Sequence, residues 1–154
     1  MTRSLAVIGI GNEHRGDDAA GLLAVRALRD LVAGGSGVEI LEHRGDGASL
    51  MELWGGREWV ILIDAMQSES RPGAVTHFDA SDAPLGIEDP CTSTHAFGPA
   101  AAIEISRSLG HLPPRVEMYG IAGSVFSVGA GPQPAVREAA REVARAIATM
   151  LQPS

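Results

Sequence analysis

Residues 5–28 read "LAVIGIGNEHRGDDAAGLLAVRAL" and contain the pattern that decides the fold. A short apolar run rich in Val and Ile leads directly into the glycine turn "GIGN", and a broad apolar segment follows the charged residues "EHRGDD". The first run predicts a buried β-strand over residues 4–10, and the second predicts a helix from Ala19 to Val32. A strand, a tight turn and a helix in this order are the opening unit of an α/β protein.

The same alternation of strands and helices continues along the chain. Further strands are predicted over residues 38–43, 59–65, 73–79 and 115–123, of which the last two alternate more and are placed nearer the sheet edges. Helices are predicted around residues 49–54, along Phe97, Ala101, Ile105 and Leu109 up to Gly110, and along Val136, Ala140, Val143, Ile147 and Met150. The sequence therefore predicts a three-layer α/β sandwich with a five-stranded, mainly parallel twisted sheet.

The glycine turn resembles a phosphate loop but lacks the residues that such loops need. His14 stands where the dinucleotide fingerprint requires its third glycine, and no Gly-Lys-Ser/Thr sequence follows the turn. Asp17 and Asp18 would repel a phosphate group that a helix N-terminus otherwise attracts. A nucleotide site at this loop is therefore not expected.

Composition narrows the possible partners. The 154 residues carry a formal net charge of -7, which argues against nonspecific binding to nucleic acid or to anionic membranes. No apolar run approaches the roughly 20 residues that span a bilayer, and no secretory signal is recognisable, so a cytoplasmic location is expected. The single cysteine, Cys91, excludes an internal disulfide and a multi-cysteine zinc site. The expectation is one domain over residues 1–154, a monomer in isolation, with any metal held by carboxylates and imidazoles.

Three polar residues fall where an open α/β sheet binds its ligands. Asp18 follows the first strand, Asp64 closes the third, and His95 precedes a helix after a long loop over residues 79–94. Together they would bind a divalent cation and leave positions open for water or substrate. Each also has an ordinary alternative: Asp17 or Asp18 as a helix cap, Asp64 as a strand-end cap, and His95 as a core or helix-start histidine.

Two other reactive side chains are interpreted conservatively. Cys91 has no neighbour in sequence that would lower a thiol pKa, so it is interpreted as a small loop residue. Among the scattered histidines, only His14 is close in sequence to the candidate site. It is either a group that supports a ligand or an exposed side chain.

The ordered motifs resemble a known family. They are "LAVIGIGNEHRGDDAAGLLAVRAL", "ILEHRGDGASLMELW", "VILIDAM", "STHAFG" and "YGIAGSVFSVGAGPQPAV". This set resembles the hydrogenase maturation endopeptidases, which trim a C-terminal extension from the large subunit of nickel-iron hydrogenases. The resemblance covers almost the whole chain, and it implies a five-stranded twisted sheet between helices.

The resemblance also implies a site and a substrate. The family's metal-binding residues fall on Asp18 in "GDDAAG", Asp64 in "LIDAM" and His95 in "STHAFG". These residues would engage nickel supplied by the hydrogenase large-subunit precursor, and the ion would either polarise the scissile carbonyl or activate a water. Direct carboxylate catalysis and a pure recognition role stay open, as do two other functions: a noncatalytic precursor-binding module and a small-molecule hydrolase on the same fold.

Two departures from the family pattern stand near the glycine turn. Some relatives carry Glu where Asp18 stands, which changes the reach of the ligand by one methylene. Glu13 and His14 replace residues that are more often apolar or proline in relatives, which makes them candidates for precursor specificity.

Overall fold

A computed structural model describes residues 5–32, 37–81, 92–93 and 98–152. The strands are β1 (Leu5–Ile10), β2 (Val38–His43), β3 (Trp59–Gln67), β4 (Val75–Asp79), the two-residue β5 (Thr92–Ser93) and β6 (Arg115–Gly123). The helices are α1 (Ala20–Leu31), α2 (Gly47–Trp54), α3 (Pro99–Leu109) and α4 (Pro134–Leu151), with a 3₁₀ turn over Gly16–Ala19 before α1.

The sheet has the order β2-β1-β3-β6-β4, and β5 pairs with the end of β3. The first four strands in this order are parallel, whereas β4 runs antiparallel to β6. Every residue of β1 is buried, and β3 is buried from Trp59 to Met66, as expected for parallel strands covered on both faces. The predicted mainly parallel sheet of five main strands is confirmed, and the two-residue β5 adds a short sixth strand.

Helices cover both faces of the sheet. One apolar core joins α1 and α4 to the face that carries Val7 and Ile61, and a second joins α2 and α3 to the face that carries Ile8 and Leu62. The result is the predicted three-layer sandwich. No helix in the described part of the chain is both long enough and apolar enough to cross a bilayer.

Two expectations about individual elements are corrected. Of the two alternating strands predicted to lie near the edges, β4 is an edge strand, whereas β6 is an inner strand because it pairs with both β3 and β4. The buried face of α3 is also different from the predicted one: Ile105 and Leu109 are 38% and 57% exposed. Residues four apart drift around a helix with 3.6 residues per turn, and the core side of α3 consists of Pro99, Ala102, Ile103 and Ser106.

Some sequence features lie outside the described residues. They are the Gly34-Gly35 pair after α1, most of the predicted loop over residues 79–94 including Cys91, and the residues His95 and Phe97. Within that predicted loop the described backbone contains β5, which sequence patterning did not indicate.

Glycines bring the start of α1 against the strands. A Cβ on Gly21 would overlap the backbone oxygens of Ile63 and Ile10, and a Cβ on Gly9 would overlap the backbone oxygen of Gly21. Only glycine permits so close an approach of a helix to two parallel strands. This packing fixes the distance between the first turn of α1 and the end of β1, where the candidate site begins.

Candidate functional site

The candidate site lies at the carboxyl edge of the parallel strands. β1 ends at Ile10, the loop and 3₁₀ turn that follow lead to α1, and β3 and β6 continue to Gln67 and Gly123. The 3₁₀ turn packs against β3, so the segment that carries Asp18 adjoins the strand that carries Asp64. Ligands of open α/β sheets bind at this edge.

Asp18 is buried at the end of the glycine loop, with 1% of its surface exposed. Its backbone oxygen accepts a hydrogen bond from the Asn12 amide at 3.2 Å, and its amide donates to the oxygen of Arg15 at 3.1 Å. A Cβ on Gly11 would overlap that same Asp18 oxygen, so the second glycine of "GIGN" allows the loop to close onto Asp18. Gly11 therefore allows the backbone of Asp18 to pack directly against the end of the glycine turn.

Asp64 is fully buried within β3. The sequence predicted that this strand ends at residue 65, whereas β3 continues to Gln67. In the parallel register, Asp64 stands opposite Gly120 of β6. Burial of an ionised carboxylate is costly unless charged or polar groups compensate it. Because Ile63 pairs with Gly9, Asp64 lies level with the end of β1, and it is therefore a candidate site residue at this edge.

The third predicted residue, His95, lies outside the described residues. The chain just before it is described: Ser93 pairs with Met66 and Thr92 with Gln67 in an antiparallel register. Ser93 thus precedes His95 by two residues and is paired with a residue two positions after Asp64. Within the part of the chain that the structure describes, no three His, Cys, Asp or Glu side chains form a group able to hold a metal ion.

Asp17 has a different environment from its neighbour Asp18. Its buried carboxylate accepts hydrogen bonds from the amides of Ser124, Val125 and Gln133 at 2.9, 3.0 and 2.8 Å, and from the Gln133 side-chain amide at 2.6 Å. Burial raises the pKa of Asp17, but these four donors together outweigh burial and lower the pKa below its usual 3.8. Asp17 is therefore an ionised structural carboxylate.

The ordinary alternative for Asp17 and Asp18 was a role as the N-cap residue of a helix, and neither residue occupies such a position. The N-cap positions of the 3₁₀ turn and of α1 are Arg15 and Ala19, and Asp17 and Asp18 lie inside the turn. Sequence reasoning missed the contact between Asp17 and the segment after β6. The available signal was the glycine-rich motif "SVGAGPQ", which predicts an irregular loop but does not identify what the loop contacts.

A cavity of about 530 Å³ opens beside the glycine loop. Its lining includes Gly11, Asn12 and His14 from the loop and Arg44 and Asp46 from the segment after β2. The Arg44 side chain forms no ion pair with any of the described residues. His14 is 79% exposed at its side chain. The cavity therefore offers a concave surface with several polar side chains, and it adjoins Asp18 through Asn12, whose amide donates to the Asp18 oxygen.

The structure is an α/β sandwich with two buried carboxylates near the carboxyl ends of its parallel strands, which is the usual place of a ligand or substrate site in proteins of this class. Comparison with known families specifies it further. Residues 24–152 match the family described as hydrogenase maturation protease, and the chain belongs to that family. The matched segment includes Asp64 and His95, whereas Asp18 precedes it.

Individual relatives agree with this assignment. The chain is 25% identical over 116 residues to the hydrogenase expression/formation protein HupD of Rhizobium leguminosarum bv. viciae, a match that covers 75% of this chain and 57% of that protein. The chain therefore spans a little over half the length of this curated relative.

Solved structures share the fold over nearly the whole chain. The [NiFe] hydrogenase maturation protease HycI from Thermococcus kodakarensis is 25% identical, with a TM-score of 0.72 over 99% of this chain and 94% of that one. The hydrogenase maturating endopeptidase HybD from E. coli is 23% identical, with a TM-score of 0.76 over 96% and 91% of the two chains. The second likeness concerns the fold alone.

Proposed function

We propose that this protein is an endopeptidase that removes the C-terminal extension from the nickel-loaded large-subunit precursor of a [NiFe] hydrogenase. The observation that carries this proposal is the pair of buried carboxylates, Asp18 and Asp64, at the carboxyl edge of the sheet in a chain of the hydrogenase maturation protease family. Carboxylate and imidazole groups suit a nickel ion, whereas the single cysteine of the chain excludes a multi-thiolate site.

In this proposal Asp18, Asp64 and His95 contact the nickel that the precursor carries. The pairing of Ser93 with Met66 supports His95 as the third member, because it ties the chain just before His95 to the strand that holds Asp64. Two carboxylates and one imidazole leave coordination positions open, which suits an ion delivered by the substrate rather than one bound permanently. The precursor therefore presents its metal as the sign that its active site has been assembled.

The same contacts place the scissile peptide bond. Anchoring the ion at the carboxyl edge of β1 and β3 holds the adjacent polypeptide at a fixed position relative to the carboxylates, which converts a bimolecular encounter into an oriented reaction. The nickel supplies Lewis acidity toward a carbonyl or a water, and one carboxylate accepts the proton of the attacking water.

The cavity beside the glycine loop is the proposed seat of the polypeptide next to the cleavage site. It adjoins Asp18 through Gly11 and Asn12, and its exposed polar side chains, His14 and Arg44 among them, are available to a peptide. Glu13 and Arg26 form an ion pair at 3.2 Å, and both residues line this cavity. Precursor specificity is assigned to this surface.

The decisive experiment incubates the protein with a matched precursor, either nickel-loaded or nickel-free, and measures the mass of the large subunit. We expect loss of a C-terminal peptide only from the nickel-loaded precursor. An Asp30→Asn variant, which removes an exposed carboxylate of α1, serves as the charge-matched control and is expected to cleave normally. Stable binding to the precursor without any change of mass would identify a noncatalytic binding module instead.

A further inference from the structure

The loop that carries the candidate site is joined along its length to the segment after β6. The amides of Gly16 and Asp17 donate to the oxygens of Ala130 and Val125 at 2.9 and 2.7 Å. In the opposite direction, the amide of Gly129 donates to the oxygen of His14 at 2.7 Å. Residues 14–17 and 124–133 thus form a hydrogen-bonded interlock between the first and the last of the sequence motifs.

The carboxylate of Asp17 is the centre of this interlock. It is fully buried, and its two oxygens accept all four hydrogen bonds from Ser124, Val125 and Gln133. Charge-assisted bonds from backbone amides are stronger than neutral ones, and a carboxylate can accept several at once. A neutral side chain of the same shape would bring an NH₂ group against one of these N–H donors.

Two glycines are required for the carboxylate to reach its donors. A Cβ on Gly123 would stand 2.6 Å from the Cβ of Asp17, and a Cβ on Gly16 would overlap the Val125 oxygen. Gly16 also has a φ of 56°, which side-chain-bearing residues rarely adopt. The close approach of the two segments is therefore built into both motifs.

We propose that Asp17 is a positioning residue: it fixes the 3₁₀ turn against residues 124–133 and thereby sets the backbone from which Asp18 enters the site. Asp17 can act directly on the position of Asp18, because Asp18 is the next residue. The amide and the carbonyl of Asp18 are hydrogen-bonded to Arg15 and Asn12 of the same loop. The inference rests on the proposed function for its kinetic consequence, but its structural consequence is independent of catalysis.

The test compares Asp17→Asn with two controls. Asp30→Asn removes an exposed charge near the end of α1. Ser106→Ala removes the buried hydroxyl that accepts the Trp54 indole N–H at 3.1 Å, on the sheet face covered by α2 and α3. Ser106→Ala lowers stability without touching the interlock, so it separates a general loss of stability from a loss of position. Gly123→Ala is a second variant that displaces Asp17 without altering its charge.

The first measurement is amide hydrogen exchange, which needs no substrate. We expect Asp17→Asn to lose protection at Ser124, Val125 and Gln133 and also at Asn12, whereas Ser106→Ala keeps it at these amides. Unchanged protection at Asn12 in Asp17→Asn would overturn the proposal, whether or not the wild-type protein cleaves a precursor.

The second measurement is the kinetics of precursor cleavage. A misplaced Asp18 should lower kcat by about 10²-fold in both Asp17→Asn and Gly123→Ala, while KM stays within about twofold. Ser106→Ala and Asp30→Asn should keep kcat at a temperature where all variants are folded. A wild-type kcat in Asp17→Asn contradicts the positioning role, whereas a wild-type protein that cleaves no matched precursor contradicts the proposed function and leaves the exchange result to decide the positioning role.

Discussion

Arg26 on α1 and Glu42 near the end of β2 form a two-bond ion pair, with Nη2 2.8 Å from Oε1 and Nε 3.3 Å from Oε2. Arg29, one turn further along α1, donates to the same carboxylate at 2.6 Å. The hydrogen bonds from Arg26 and Arg29 lower the pKa of Glu42 to about 2. Because Glu42 also lines the cavity beside the glycine loop, this ion pair joins a helix, a strand and a wall of the candidate substrate surface.

The pH dependence of stability should report this ion pair. The pKa of Glu42 is lower in the folded protein than its ordinary value of 4.5, so its contribution is fully present above pH 4.5 and is lost as pH falls toward 2. We predict that Glu42→Gln lowers the free energy of unfolding at pH 7 by about 1 to 2 kcal/mol, after allowance for solvent screening of a partly exposed side chain.

Urea unfolding of wild type and Glu42→Gln between pH 7 and pH 2.5 measures this difference. The difference in the free energy of unfolding between wild type and Glu42→Gln should be constant from pH 7 to about pH 5 and should become smaller below pH 5. A gap that is independent of pH down to 2.5 would show that the carboxylate charge is not what stabilises the contact.

Gly21 provides a test of the close packing between α1 and the sheet. Alanine is normally the better helix former by about 1 kcal/mol, so propensity alone predicts that Gly21→Ala is stabilising. We predict the opposite, a loss of about 3 kcal/mol, because the new Cβ would overlap the backbone oxygens of Ile63 and Ile10.

Gly55→Ala is the matched control, since a Cβ there meets its nearest atoms at 3.5 and 3.8 Å. Thermal or urea unfolding of both variants distinguishes the two expectations. Equal or increased stability of Gly21→Ala would mean that the start of α1 can move away from β1 and β3 at little cost.

Removal of any one proposed nickel-contacting side chain should stop precursor processing. We predict that Asp18→Asn, Asp64→Asn and His95→Ala each lower the rate by about 10³-fold or more, because each removes a group that holds the ion and the reacting atoms in place. Mass analysis of the large subunit measures the rate, and circular dichroism checks that the variants are folded. Asp30→Asn is the control, and near-normal processing by Asp64→Asn would remove Asp64 from the site.

Arg44 should affect binding of the precursor rather than the chemical step. Its side chain lines the cavity and forms no ion pair within the described part of the chain, so it is available to a substrate carboxylate or carbonyl. We predict that Arg44→Ala raises KM about fivefold and leaves kcat unchanged, which is the loss expected for one exposed charged contact. Arg145→Ala on the exposed side of α4 is the control. A fall in kcat without a change in KM would place Arg44 nearer the reaction than the cavity.

Local patterns predicted the architecture well because each strand and helix has its own periodicity. β2 and β6 have the predicted bounds, and α2 and α4 differ from theirs by one or two residues. The buried face of α3 could not be predicted in the same way. It depends on which residues α2 presents, and the Trp54 indole selects Ser106, a polar residue that periodicity assigns to the surface.

In the candidate site, too, local sequence patterns predicted some features, whereas others depend on tertiary contacts. Asp18 and Asp64 were identifiable because carboxylates beside apolar strands are unusual, and the structure buries both. The different environments of Asp17 and Asp18 were not predictable, because the donors that hold Asp17 lie more than 100 residues further along the chain. Adjacent residues of one type receive different surroundings only through tertiary contacts.

The interlock between residues 14–17 and 124–133 has a consequence for biosynthesis. The carboxylate of Asp17 finds its partners only after β6 has been made and Gln133, the N-cap of α4, has been added to the chain. Contacts between distant segments form late in folding, since the intervening chain must first be ordered. A nascent chain that stops before Gln133 therefore lacks two of the four donors that hold Asp17, and we expect the complete interlock to form only after the start of α4 has been synthesised.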